Sequence, residues 1–370
     1  MRYYIIAGER SGDLHASNLI KALKVKDPQA VLRGFGGEYM ESVGVELAVH
    51  YNEMAIMGMV EILKNIGKIS HYIRKCKEDI RQFKPDVIIL VDYGGFNGRI
   101  AKFGRIEGFK VFFYIPPKVW AWYQRRALQL KRNVNRIFVI LPFEKDFFKK
   151  FDVDVDYVGN PVLDAIKEHK ADPDFLNRNG LTAGNKIIAL LPGSRKQELQ
   201  NIIPVMGAVA KSNPTLQFVV AAIKNLPGDL YKPFHGLSNV KFVYEETYDL
   251  LTHAQAAIVT SGTATLETAL FKVPQIVVYK TSYLTYKIVK LLIRVPFISL
   301  VNLIAGKKVV KELIQDEAGE EKISSELNAI LNNASYREQM VAQYSDLIKM
   351  LDTGSASENA ANLMVNYLRQ

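Results

Sequence analysis

The chain is assembled from short, unbroken apolar runs, each closed by glycine, proline or a polar turn and followed by a stretch of helical periodicity. Residues 3–7, 31–35, 86–91, 111–115 and 137–141 form one series of such runs. A second series occupies 187–191, 218–222, 240–244, 256–259 and 275–279. A continuous apolar run needs cover on both faces, unlike the alternating run of a half-solvated strand. Strands of this kind, separated by helices such as those expected at 14–24 and 59–81, predict parallel sheets with helices on either side. Between the two series lies a polar stretch, 167–186, holding Asp172-Pro173, Asn179-Gly180 and Gly184. Such a stretch suits a linker. From about Glu320 onward no strand-like run occurs, and three helices are expected. A length of 370 residues suits two domains. The expected fold class is α/β, with two Rossmann-like domains facing a cleft, where ligands gather at the carboxyl ends of the strands.

Composition narrows the function. With 48% hydrophobic and 23% charged residues, the chain is neither disordered nor fibrous. Its longest charge-free apolar stretch, 295–306, is too short to span a bilayer and contains Pro296. The N-terminal MRYYIIAGER lacks the length and cleavage site of a secretory signal. A single cysteine, Cys76, excludes an internal disulfide and fits a reducing compartment. Six scattered histidines include no i,i+4 pair, and neither a P-loop nor a nucleophile elbow is present. The aspartates of FDVDVDYV (151–158) read as one solvated face of an alternating strand rather than as a metal site. Net charge is +10, which favours an anionic partner.

Four stretches carry chemistry. The first strand runs into Ala7-Gly8-Glu9-Arg10-Ser11-Gly12-Asp13 at a helix start. Free N–H groups there attract an anion, although Ser11 or Asp13 as a plain cap explains the pattern as well. Strand 86–91 ends at Asp92, before Tyr93-Gly94-Gly95-Phe96-Asn97. A carboxylate at a strand tip is rigid and partly desolvated, as a general base requires, while a turn aspartate is the plainer role. In the second half, Pro192-Gly193-Ser194-Arg195 leaves a strand with Glu198 one turn on, and a guanidinium suits a diphosphate. Finally, Ser261-Gly262-Thr263 opens a helix whose N–H groups suit a diphosphate, with Ser261 or Thr263 as its cap. Glu267 lies where its two oxygens reach the hydroxyls of a ribose. Its spacing from Thr263 is one residue too long for a capping box.

The charge is clustered. Residues 280–311 hold seven Lys or Arg and no acid. On a helical projection Leu284, Ile288, Val289, Leu291, Leu292 and Ile293 fill a wide arc, with Lys287, Lys290 and Arg294 in one stripe. Arg125, Arg126, Lys131, Arg132 and Arg136 follow Trp120 and Trp122, while Met59, Ile62, Leu63, Ile66, Ile69 and Ile73 share one face of another helix. Broad apolar faces with basic edges fit an anionic membrane surface. Each helix alone fits a core position with a solvated rim. Nucleic acid is not expected, since the recognition patterns of nucleic-acid-binding modules are missing.

As an ordered set, AGERSGD (7–13), AIMGMVEIL (55–63), KPDVIILVD (84–92) with Phe96-Asn97, VWAW (119–122), LPFEK (141–145), LLPGSR (190–195) with Glu198, SGTATLE (261–267), NLIAG (302–306) and ELIQ (312–315) span nearly the whole chain. In them the chain resembles the lipid-A-disaccharide synthase family of bacterial glycosyltransferases, which have the two-Rossmann B-type fold. Gly94-Gly95 stand where a proline and often an acid precede Phe-Asn, which leaves Asp92 the only carboxylate of that loop. Pro116 and Lys118 stand where small hydroxyl residues are common.

The resemblance implies transfer of 2,3-diacylglucosamine from its UDP conjugate to 2,3-diacylglucosamine 1-phosphate, with inversion and without metal or cofactor. It implies work at the cytoplasmic face of the inner membrane, and it leaves a homodimer open. Asp92 would be the base, with Ser194, Arg195, Ser261, Gly262 and Thr263 at the diphosphate and Glu267 at the ribose. Glu9, Ser11, Gly12, Met57 and Asn302 would face the acceptor. Met59, Ile62, Ile66, Leu284, Lys287, Lys290 and Arg294 would face the membrane. The acceptor domain would comprise 1–166 plus 346–370, since the last helix of such folds usually crosses back, and the donor domain 167–345. A UDP-N-acetylglucosamine 2-epimerase shares this architecture, and a membrane-bound nucleotide-sugar-binding module without turnover is the alternative of another class.

Overall fold

The computed structural model describes residues 1–54, 66–182, 184–224 and 226–370. It divides into two compact units, Met1–Pro161 with Asp352–Gln370, and Val162–Leu351. The chain thus crosses at Pro161 and again at Asp352, where 166 and 346 were expected.

In the first unit, β1 (Arg2–Ala7), β2 (Val31–Gly36), β3 (Glu46–His50), β4 (Val87–Val91), β5 (Lys110–Tyr114), β6 (Arg136–Val139) and β7 (Asp156–Tyr157) form a parallel sheet of order β3-β2-β1-β4-β5-β6-β7. The direction of chain travel reverses between β1 and β4, whose tips meet at Ala7 and Val91. That reversal opens a crevice at the carboxyl ends of the strands. Both faces of β4 are buried, as its unbroken apolar run requires. The terminal helix, Ala356–Arg369, packs on the helix Arg10–Lys26, and its Ala360, Ala361, Met364 and Val365 join the core formed around β1.

The second unit holds β8 (Ile187–Leu191), β9 (Gln217–Ala222), β10 (Val240–Tyr244), β11 (Ala256–Thr260), β12 (Gln275–Tyr279) and β13 (Lys311–Ile314), in the order β10-β9-β8-β11-β12-β13. Its reversal falls between β8 and β11. After β13 the helices Glu320–Asn332, Ala334–Leu351 and Ala356–Arg369 follow.

Residues 151–158 do not form the alternating strand expected of them. Only Asp156 and Tyr157 pair with β6, and Asp152 has left-handed backbone and an ion pair with Lys131 at 2.6 Å. Tyr367 donates to Asp156. Alternate burial persists because Val153 and Val155 anchor the turn.

Candidate active site

In the first unit the site forms at the reversal point. Asp92 is half-buried at the end of β4. Both Asp92 (φ 48°) and Tyr93 (φ 49°) adopt left-handed backbone, a conformation that costs about 1–3 kcal/mol for a residue with a side chain. Neighbouring groups hold it. The Asn97 amide nitrogen lies 2.8 Å from the Asp92 carbonyl, 3.2 Å from that of Val91 and 3.4 Å from that of Ile6, so it ties together the tips of β1 and β4. The Asp92 N–H donates to the Tyr114 carbonyl on β5. The Tyr93 ring fills the space where a Cβ on Gly8 would stand, so that glycine serves close packing.

The neighbouring motif divides its work. Glu9 is the cap position of the helix Arg10–Lys26 but makes no side-chain cap, and both Glu9 and Ser11 are exposed. Gly12 is buried, 3.7 Å in Cβ reach from the Val91 carbonyl, and it allows close approach of helix to strand. Asp13 caps a different segment from the one expected. Fully buried, it accepts the N–H groups of Gly37 (2.7 Å), Tyr39 (3.0 Å) and Met40 (3.3 Å) at the start of the next helix, Glu38–Ser42.

In the second unit, Gly193 (φ 101°) turns the chain out of β8 and leaves room for the Glu198 carboxylate. Arg195 stands at the start of the helix Lys196–Ser212, its side chain 78% exposed and 3.6 Å from Glu198, beside an exposed Ser194. On the adjacent strand, β11 opens into Ser261-Gly262-Thr263. Gly262 is the cap of the helix Thr263–Leu270, which corrects the expectation of Ser261 or Thr263 there. The Ser261 hydroxyl is drawn away to the Ile298 carbonyl at 2.8 Å. Gly262 and Thr263 are exposed at a helix start without a side-chain cap, so the first N–H groups face outward for an acceptor. Burial raises the Glu267 carboxyl above its ordinary range, and the Tyr248 hydroxyl donates to it at 3.3 Å. Tyr248 carries no motif signal; only its packing against Phe271 and His169 brings it there.

Asn302, expected at the acceptor side, turns inward. It is fully buried and its amide is saturated: Oδ1 accepts from Val309 (2.7 Å) and Val310 (2.9 Å), and Nδ2 donates to the Val310 carbonyl and to Glu312. Glu312 also accepts from Ser299 and Ile298, so this cluster clamps the helix Leu300–Ala305 onto β13.

Met57, Met59 and Ile62 lie outside the described residues, as do the side chains of Ile66 and Leu284. Along the helix Tyr283–Leu292, Lys287 stacks over Tyr283 (4.6 Å) and Lys290 over Tyr286 (5.7 Å). Tyr283 and Leu291 are exposed. Arg294 follows the helix end, so it is not part of one helical stripe with the two lysines. No helix among the described residues is long and apolar enough to cross a membrane.

Two parallel sheets, each flanked by helices and each with its polar loops at the reversal point, define the B-type class of sugar-nucleotide glycosyltransferases and related epimerases. Solved structures agree. UDP-GlcNAc 2-epimerase from Neisseria meningitidis superimposes with a TM-score of 0.68 at 15% identity, covering 100% of both chains. The calicheamicin glycosyltransferase CalG4 gives 0.61 at 13%, covering 100% of this chain and 98% of its own. At such identity the likeness shows the fold alone. Residues 3–365 match the family model described as lipid-A-disaccharide synthetase. The lipid-A-disaccharide synthase of Geobacter sulfurreducens is 37% identical over 99% of this chain and 97% of its own length, and that of Coxiella burnetii (strain Dugway 5J108-111) 35% over 98% of each. The chain belongs to the lipid-A-disaccharide synthase family and is a UDP-sugar glycosyltransferase.

Proposed function

We propose that the chain joins two acylated glucosamines by a single displacement. The acceptor, 2,3-diacylglucosamine 1-phosphate, attacks through its 6-hydroxyl at the anomeric carbon of UDP-2,3-diacylglucosamine. The new carbon–oxygen bond forms on the face opposite the leaving group, which inverts the centre. The hydroxyl proton passes to the Asp92 carboxylate, and UDP departs with the bonding electrons. Arg195, Ser194 and the outward N–H groups at Gly262 and Thr263 stabilise the charge growing on the diphosphate. Glu267 receives the ribose hydroxyls, and Glu9 and Ser11 serve the acceptor side.

The observation that carries this reading is the left-handed backbone of Asp92, held by Asn97 at a strand tip in a chain of this family. Aspartate tolerates this conformation, the bulky Tyr93 beside it less so, and a backbone held there by Asn97 fixes where the Asp92 side chain points. Acylated substrates do not leave a bilayer cheaply, at about 0.8 kcal/mol per buried CH₂. The enzyme therefore works as a peripheral protein on an anionic inner-membrane surface, with Tyr283, Leu291, Lys287 and Lys290 among its contacts.

The test is UDP release from the acylated donor with and without the acylated acceptor. Release only when both are present supports transfer. Equal release without acceptor, or conversion of soluble UDP-N-acetylglucosamine to its 2-epimer, overturns it.

A further inference from the structure

On the first unit, away from the strand tips, a groove of about 630 Å³ lies between the helices Ile66–Phe83 and Gly94–Ile106. Arg74, Lys77 and Arg81 line it from one side and Arg99 and Lys102 from the other, against a single carboxylate, Glu107. Glu107 is already engaged by Arg81 at 2.9 Å. Among the described residues, no carboxylate pairs with Arg74, Arg99 or Lys102. All three are exposed and converge on one groove from two helices, where their mutual repulsion falls most when an anion enters.

The rest of the lining narrows the anion. Phe103 also lines it, but it is 6% exposed and Lys77 (5.4 Å) and Arg81 (5.0 Å) lie over its ring, so it offers a base little to stack on. The rim instead presents Ile106, an aliphatic side chain 71% exposed. Cations beside an exposed aliphatic side chain match an amphiphile: a phosphate with alkyl carbon attached.

We propose that this groove seats the phosphate headgroup of an anionic glycerophospholipid, giving the first unit its own contact with the bilayer, separate from the helix Tyr283–Leu292 of the second unit. The phosphate sits among Arg74, Arg99 and Lys102, and the glycerol end of the chains lies along Ile106. Arg81 stays with Glu107 and closes one end. This inference rests on the reading of the chain as a peripheral membrane enzyme.

The full-length chain and two variants, Arg74→Gln/Arg99→Gln/Lys102→Gln and Lys287→Gln/Lys290→Gln, are sedimented with vesicles of phosphatidylcholine alone or with a third phosphatidylglycerol. Each basic residue near an anionic surface is worth roughly fivefold in partitioning, so the groove variant is expected to lose on the order of a hundredfold. Unchanged circular dichroism and UDP affinity show that it remains folded. Loss in the lysine pair alone overturns the groove and spares the membrane reading. Absence of binding by the parent chain to anionic vesicles overturns both. Thermal stabilisation by inorganic phosphate that the groove variant loses, with vesicle binding intact, overturns the lipid assignment in favour of a free phosphate. Protection of a single-stranded oligonucleotide in place of vesicle binding overturns it in favour of nucleic acid.

Discussion

The Trp120 indole N–H donates to one carboxylate oxygen of Glu144 at 3.0 Å, while the other oxygen accepts the N–H groups of Leu141 (2.9 Å) and Ile140 (3.2 Å). Both residues are buried. The pair fastens the loop that leaves β5, whose Pro117 packs against Gly94, to the start of the helix Pro142–Lys149. The buried Glu144 carboxylate thus braces the loop whose Pro117 meets Gly94, two residues from Asp92.

That burial has a pH signature. It pushes the Glu144 carboxyl from its ordinary 4.5 up to about 7, against the opposing pull of its three donors. A carboxyl raised on folding makes the native state bind more protons than the unfolded chain between those values. Stability from this group is therefore full below about pH 4.5 and is lost as pH rises through 7, by about 3 kcal/mol. Denaturant midpoints at pH 5 and pH 8 are expected to differ more in the parent than in Glu144→Gln. An identical pH slope in the two proteins removes Glu144 as the source.

Replacing Asp92 by Asn is expected to lower turnover by roughly 10²–10⁴-fold, the usual contribution of a positioned base. Asparagine tolerates left-handed backbone, so the loop keeps its shape and thermal melting stays near that of the parent. Turnover within threefold of the parent, at unchanged melting, excludes Asp92 from proton transfer.

Asn302→Ala separates a ligand contact from an internal strut. Losing its amide leaves the N–H groups of Val309 and Val310 without a partner, which costs roughly 3–5 kcal/mol in total. Chemical denaturation is expected to show that loss, with UDP affinity of the remaining folded protein unchanged. A large drop in affinity at parental stability returns Asn302 to the ligand.

On the donor side, Glu267→Gln is expected to weaken UDP by roughly 10-fold and to spare inorganic pyrophosphate, because only hydroxyl contacts change. Arg195→Ala is expected to weaken both, since the lost contact is to the diphosphate. Titration calorimetry giving parental UDP affinity in both variants moves the nucleotide elsewhere.

Liposome binding provides a further check. Reversing Lys287, Lys290 and Arg294 to Glu is expected to reduce binding to anionic vesicles and to leave UDP affinity alone. Binding by the parent should fall as salt rises, because screening shortens the reach of these charges. Equal sedimentation with neutral and anionic vesicles at every salt concentration marks the lysines as a solvated helix face.

Local periodicity and motif order are what a chain displays without its fold. The runs that became β1, β4, β5, β8 and β11 are legible because a strand buried on both faces has no polar position to spare. β3 and β13 are not legible in the sequence for the converse reason. Each lies at a sheet edge and keeps polar residues such as Glu46, Lys311 and Glu312, so no unbroken apolar run marks it. The order of the motifs was enough to point to the family. Asp92, Arg195 and Glu267 were legible as candidates because strand tips and helix starts can be read locally. Which polar residues look inward is not written in any local stretch. Asp13 turns to the Glu38–Ser42 helix, Asn302 closes on Val309, Val310 and Glu312, and Glu144 takes Trp120 from 24 positions away. A polar side chain spends its hydrogen bonds on whichever group the fold brings within 3 Å, and that neighbour is set by packing between distant segments.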